Sequence, residues 1–434
     1  MGGTAADTSG SIGIFLCAGA LSLVLIGALL FLGLLLSRGA DAFVMRPLVE
    51  WKLANGDVEL VQQLDISEDG EMRARMSNRE FHANREDHMR ALPSDIVSSS
   101  IPEDAVLIER TEHGPFHGYI DKIDDDGYHV RLPGGSLHFL STESVIRVHY
   151  PNQLSWWGRL LTWFESVWHF LVDDPREANT EGGIYPALVG TALMVILMTI
   201  IVVPFGVMTA VFLNEYAEDT LFVKFVRISV NNLAGVPSIV YGVFGLGFFI
   251  YGLGGAIDST FFGDSLPAPT FGAGGLLWAS ATMALLTLPV VIISTEEALR
   301  AVPRDLRDAS LALGATRWET LRHIILPGAK PGILTGTILA ISRAAGEVAP
   351  LMLTGVVMSA HKLPLNGEFP FLHLDQRFMH MGFHVYSVGF QSPNIEAAEP
   401  LVYATSAVLL LLVLLLNIVA IKMRTNSRKK LQGK

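Results

Sequence analysis

Cysteine is all but missing: Cys17 is the single one in 434 residues, which excludes an intramolecular disulfide and a cysteine-based metal site. Any domain outside a membrane must therefore hold together by packing. The sequence also lacks a G-x-x-x-x-G-K-[ST] phosphate loop, so it carries no ATP site of that kind. Charge is sparse as well: 17% of residues are charged and 50% are apolar, too oily a balance for an ordinary soluble chain. What charge there is leans acidic, 42 acids against 31 bases. No nucleic acid is expected among the partners.

What is present is a set of long apolar runs. Six of them, at residues 12–36, 184–213, 233–253, 274–294, 332–357 and 401–421, are long enough to cross a bilayer as helices. The expected fold is an all-α polytopic membrane protein of six transmembrane helices with an inserted α+β extracytoplasmic domain. The segments are an N-terminal transmembrane helix (1–38), the extracytoplasmic domain (39–155) and an interfacial amphipathic helix with its linker (156–183). A membrane core (184–424) holds a cytoplasmic loop at 296–330, and a basic tail (425–434) follows. The first run is longer than a signal-peptide core and no base precedes it, so it reads as a retained helix. Lys422, Arg424, Arg428, Lys429, Lys430 and Lys434 follow the last run with no acid among them, which assigns that end to the cytoplasm. Counting back puts the 296–330 loop and the N-terminus inside and residues 39–183 outside. Arg38 and Arg46 after the first run, with Asp7 before it, oppose that order, but long translocated domains largely escape the charge rule.

In the outer segment, residues 47–64 read as partly helical, and residues 68–90 are dense in charge around Met72, Met76 and Phe81. Residues 106–109, 116–123, 128–132 and 145–150 alternate as strands, with Asp126-Gly127 as a hairpin signal. Acids outnumber bases here, so the domain does not gather an anion by its own field, and docking of another protein is the better expectation. Its histidines (His82, His88, His113, His117, His129, His138, His149) read as solvated strand residues and not as a metal site, because His113 and His117 flank a Gly-Pro turn. His373, His380 and His384 fall in an expected outer loop at 363–400 and are equally scattered. The run from Trp156 to Phe170 carries Trp156, Trp157, Trp163 and Trp168. It reads as a helix on the membrane surface, or as a packed helix of the outer domain.

Residues 296–350 organise the rest. A first short helix is expected to start near Pro303, with Leu306, Ala309 and Leu313 on one face. Gly314 reads as the residue past its end. Thr316 and Glu319 form a capping box for a second helix, which Pro327 and Pro331 bracket. Asp308-Ala309-Ser310, Gly314 and Ile324-Ile325-Leu326-Pro327 stand at fixed spacings, and signs alternate along the surface. The next apolar run carries Arg343 and Glu347, one helical turn apart. Each charge costs about 2.5–3.5 kcal/mol at a helix centre, so both should face the bundle interior or a wet path. Either they fix helix register, or Arg343 attracts an oxyanion while Glu347 holds it in place or accepts a proton from the ion.

The 304–327 spacing resembles the cytoplasmic coupling loop of bacterial ABC-importer permeases, with Asp-Ala-Ser where that family has Glu-Ala-Ala. Together with Asn231-Asn232-Leu233-Ala234-Gly235-Val236-Pro237-Ser238 and Ser342-Arg343-Ala344-Ala345-Gly346-Glu347, it resembles the PstA family of phosphate-importer permeases over about residues 184–422. The resemblance implies a type I ABC-importer permease fold and a PstC-like sister permease. It also implies a PstB-like ATPase dimer that uses ATP and Mg, and a periplasmic phosphate-binding protein. Phosphate would pass Arg343 and Glu347, and Asp308, Ala309, Ser310, Gly314, Thr316, Glu319, Ile324, Leu326 and Pro327 would meet the ATPase. The chain itself would bind no cofactor and no metal. Residues 41–150 depart from shorter family members, so no role carries over to them. A permease for another solute, or a membrane-anchored sensor, remain the alternatives.

Overall fold

The computed structural model describes residues 6–66, 71–77, 88–360, 362–367, 369–392 and 395–431. Phe81, His82 and Lys434, singled out above, lie outside them. The chain divides into two units, residues 1–169 with 391–407 and residues 170–390 with 408–434.

In the first unit, helix α1 (Ala6–Asp41) leads into two antiparallel sheets. One comprises β1 (Leu48–Leu53), β2 (Val58–Ile66), β3 (Met72–Arg75), β4 (His88–Ala91) and β5 (Ile96–Ser100), in the order β4-β3-β2-β1-β5. The other comprises β6 (Ala105–Arg110), β7 (Phe116–Asp124), β8 (Gly127–Arg131), β9 (Leu137–Ser141) and β10 (Val145–His149), in the order β10-β6-β7-β8-β9. The helical character expected at 47–64 is instead strand. Glu, Gln and Leu in Val58–Ile66 favour helix locally, yet β1 pairs with β2 in register from Leu48↔Gln62 to Lys52↔Val58, and burial of Val49, Trp51 and Val61 decides the matter. The hairpin at Asp126-Gly127 is present, pairing Asp124 with Gly127.

His117 corrects a second expectation, because it is fully buried and not solvated. From β7 its Nδ1–H donates to the Leu60 carbonyl on β2 at 3.0 Å, and its own amide donates to Ser77 Oγ at 3.0 Å. Tyr119, two residues on, donates to Glu50 at 2.7 Å. The inner face of β7 therefore fastens one sheet to the other with polar contacts. After β10, Asn152 bonds the backbone of Leu48 in both directions at 2.8 Å, and α2 (Trp156–Val172) begins.

The second unit is helical apart from a short antiparallel pairing of Pro175–Arg176 with Glu181–Gly182. It holds α3 (Tyr185–Val211), α4 (Leu221–Leu233), α5 (Ser238–Phe244), α6 (Gly255–Phe261), α7 (Leu276–Arg300), α8 (Arg304–Ala312), α9 (Arg317–Thr320), α10 (Leu326–Gly346), α11 (Ala349–Thr354), α12 (Met381–Phe390) and the larger part of α13 (Ile395–Leu431). Among the described residues, six helices are long and apolar enough to cross a membrane. The core is built where α7 meets α3 and α10, with Met194, Met198, Met283, Leu286, Ala340 and Ala344 buried together. Small residues on α10 let the helices approach closely, as membrane helix packing requires.

Three boundaries differ from those read in the sequence. Asn231 and Asn232 end α4, and the third span begins only at Ser238. The second apolar run, read as ending at residue 213, continues as a π-helical extension of α3 over Phe212–Tyr216. His384 lies in the first turn of α12, where a loop was expected, and His380 immediately precedes that helix; both are buried in the protein.

Candidate functional site

The hairpin of α8 and α9 is determined locally. Pro303 caps α8, whose far end closes with the Gly314 amide on Leu311 O (3.0 Å) and the Ala315 amide on Ser310 O (3.2 Å). These two reversed bonds need a left-handed residue between them, and Gly314 supplies it at φ +87°. The Thr316 amide then donates to Glu319 Oε2 at 2.8 Å and the Glu319 amide to Thr316 Oγ1 at 3.2 Å, the capping box expected from the sequence. Ser310 and Thr320 bridge the two arms through their hydroxyls at 2.9 Å.

Pro327 and Pro331 do not end the second arm. The helix widens into a π turn at Leu321–Ile325 and continues as α10, so Arg317–Gly346 is one rod. A π turn shifts the hydrogen-bond register immediately ahead of Pro327, where a residue without an N–H is tolerated. Leu321, Ile325 and Ala329 are buried against Leu213, Leu299 and Val302, while Ile324, Leu326 and Pro327 are half-buried beside them. Asp308, Ala309, Gly314, Thr316 and Glu319 are exposed. So are Leu306, Leu311, Leu313 and Trp318, with Leu313 at 89%. The hairpin thus buries one edge and presents an apolar patch on the other.

Charged groups that the sequence did not bring together hold that inner edge. Arg307 Nη1 lies 2.8 and 3.0 Å from the two carboxylate oxygens of Glu215, and its Nη2 donates to Leu299 O. Arg227 donates to Leu213 O at 2.6 Å and lies 3.7 Å from Glu296, which Arg300 also reaches at 3.4 Å. The only sequence signal was complementary sign, since Glu215 and Arg307 are 92 residues apart.

At the other end of the rod, Arg343 lies in the last turn of α10. Glu347 is not on the helix with it. It is the first residue past the end, extended at φ −83° and ψ 135°, and α11 starts two residues later with Pro350 in its first turn. The pair still meets, Arg343 Nε to Glu347 Oε1 at 3.6 Å. That is long for a charge-assisted hydrogen bond, which runs about 2.7–2.9 Å, so the carboxylate does not lock the guanidinium. Ala344 and Ala345 are buried while the Arg343 and Glu347 side chains are 34% and 24% exposed. The charges are therefore partly accessible, while the alanines between them are enclosed in the core. The break is shaped by close packing: a Cβ on Gly242 of α5 would come within 2.8 Å of Pro350 Cα. Ser342 donates to Asn417 of α13 at 2.8 Å, fixing the rod beside the charges.

A family model described as "Binding-protein-dependent transport system inner membrane component" matches residues 183–432. The probable ABC transporter permease protein YqgI of Bacillus subtilis is 34% identical over 267 residues, covering 60% of this chain and 84% of that protein. The phosphate transport system permease protein PstA of Mycobacterium leprae is 41% identical over 172 residues, 40% of this chain, which spans about half (51%) of that relative's length. PstA of Haemophilus influenzae is 31% identical over 241 residues, 55% of this chain and 75% of that protein. Among solved structures, the MetNI methionine ABC transporter aligns over 56% of this chain and 94% of its own, at 20% identity and a TM-score of 0.39.

Proposed function

Because the chain belongs to the family of binding-protein-dependent transport system inner membrane components, we propose that it is the subunit through which an ATP-driven importer moves inorganic phosphate. At the level of the family it is a multi-pass inner-membrane permease of an ABC importer, a transporter component and not itself an enzyme. Such a permease works with an ATPase and a substrate-binding protein. In the finer reading these are a PstB-like ATPase dimer that uses ATP and Mg and a periplasmic phosphate-binding protein, with a PstC-like sister permease beside this chain. The basic tail supports a cytoplasmic position for both termini and the hairpin.

One observation carries the proposal: a single rod, Arg317–Gly346, starts at the capping box and ends in the turn that holds Arg343. At about 1.5 Å per residue, the two lie about 39 Å apart along it. The apolar patch of Leu306, Leu311, Leu313 and Trp318 seats on the ATPase, with Asp308, Ala309 and Ser310 beside it. Closure of the ATPases pushes the hairpin, and because Arg307 and Glu215 tie it to α3, the push moves helices and not a loose loop. At the far end Arg343 attracts the oxyanion. Glu347, loosely paired, either keeps the guanidinium aimed or accepts the hydrogen bond that the proton of hydrogen phosphate donates, a proton that sulfate does not carry.

The relatives named as phosphate permeases support the choice of ion. The test is competition: uptake of labelled phosphate by membranes containing the assembled importer, challenged with sulfate and with molybdate. Phosphate uptake that excess sulfate leaves unchanged is expected, and preferential uptake of another oxyanion refutes the assignment.

A further inference from the structure

Helix α2 has an inward face and a separate apolar face turned outward. At about 100° per residue, Trp156, Trp157, Leu160, Leu161, Phe164 and Trp168 share about 140° of arc. All are exposed, with Trp156 at 68%, Trp157 at 65% and Trp168 at 64%. Arg159 and Glu165 stand outside that arc, one beyond each edge. The inward face is different: Thr162 is buried, and Trp163 donates its indole N–H to Ala40 O at 2.9 Å and sets its ring edge-on to Phe43 at 6.4 Å. A helix that merely packed on a soluble domain would show polar residues where this one shows three indoles.

Ala40 lies in the last turn of α1, the first membrane-spanning helix. The bond from Trp163 therefore fastens α2 at the level where a spanning helix leaves the hydrocarbon, next to the exposed apolar surface of Leu29, Leu30 and Leu34 on α1. Indole rings favour that level, because their apolar body and polar N–H suit the headgroup boundary.

We propose that α2 is an in-plane membrane helix whose Trp156–Trp168 arc is buried in the headgroup region of a phospholipid bilayer, flush with the end of α1. The two-sheet domain then has a footing and not a tether. Asn152, four residues before α2, bonds Leu48 at 2.8 Å and Pro102 O at 2.6 Å, so the joint between sheets and helix is rigid. The proposal is independent of the transported ion and of which side the domain faces.

The single native cysteine makes the test clean. In a Cys17→Ser background, Leu161→Cys and, separately, Phe164→Cys carry an environment-sensitive dye, with Arg159→Cys as the reference. The full importer is placed in nanodiscs of phosphatidylcholine and phosphatidylglycerol. The dye at 161 and 164 should be quenched several-fold more by nitroxide at acyl carbon 5 than at carbon 12, and should resist aqueous iodide; the dye at 159 should be the more iodide-sensitive. Iodide quenching at both arc positions overturns the proposal. So does protection from iodide and from both lipid nitroxides, which means that a protein, a second copy included, covers the face.

Discussion

One nitrogen of Arg307 reaches both carboxylate oxygens of Glu215, at 2.8 and 3.0 Å, and so pins the α8 and α9 hairpin to the end of α3. Both side chains are largely enclosed, 20% and 15% exposed. A charge stripped of its partner there loses a contact that water replaces only in part.

Glu215→Gln should therefore loosen the hairpin by about 1–3 kcal/mol, less than a fully buried pair would lose. Hydrogen exchange of residues 304–320 should speed up by one order of magnitude or more, and ATP-dependent uptake should fall. Exchanging the pair, Glu215→Arg with Arg307→Glu, should restore part of the protection. Unchanged exchange in the single variant would show that the pair holds nothing.

Gly314→Val tests the turn alone. At φ +87° a β-branched residue is strained, but a Cβ there meets nothing within 4 Å, so no clash accompanies the strain. The cost should be about 1–2 kcal/mol, read as reduced recovery of the ATPase in a pull-down. Gly314→Asn, which tolerates that backbone better, should lose less.

The two-sheet domain should soften in mild acid because of His117. Burial holds its pKa down to about 4 from 6.5. The folded value lies below the unfolded one, so the unfolded chain takes up the proton first. Stability is full above about pH 6.5 and falls by about 3 kcal/mol as the pH drops toward 4. Glu109 acts lower. Burial raises its pKa, but the hydrogen bond from His149 and the charge of Arg147 outweigh it and hold it at about 2, against 4.5. Its contribution is lost between pH 4.5 and 2. Urea midpoints of the domain, followed by proteolysis of the intact chain, should fall between pH 6.5 and 4.5 and should not in His117→Asn. A flat profile in the native chain would contradict this.

The sequence revealed whatever depends on neighbours in the chain. The capping box of Thr316 and Glu319, the turn at Gly314 and the number of spans are local chemistry and local hydropathy and are as expected, whereas the third span starts later, at Ser238, and the fifth is set back to Arg317–Gly346 from the apolar run at 332–357. What it hid depends on distance or on backbone register. Glu215 meets Arg307 across 92 residues. Pro327 looks like a stop, and only the π turn before it shows why the helix runs on. Residues 58–66 have the composition of a helix edge and become strand because β1 and β3 flank them. Glu347, four residues after Arg343, read as its helical neighbour; the backbone turns extended at that residue and leaves the pair loose.

The central claim is that one rod carries an ATPase's motion to a guanidinium that admits the ion. Its most direct measurement is labelled phosphate uptake into proteoliposomes holding the complete importer, with and without ATP, for the native chain and for Arg343→Gln. The native complex should accumulate phosphate only with ATP. Arg343→Gln should recover the same amount of ATPase on purification and take up none. Normal ATP-driven uptake by Arg343→Gln would contradict the account.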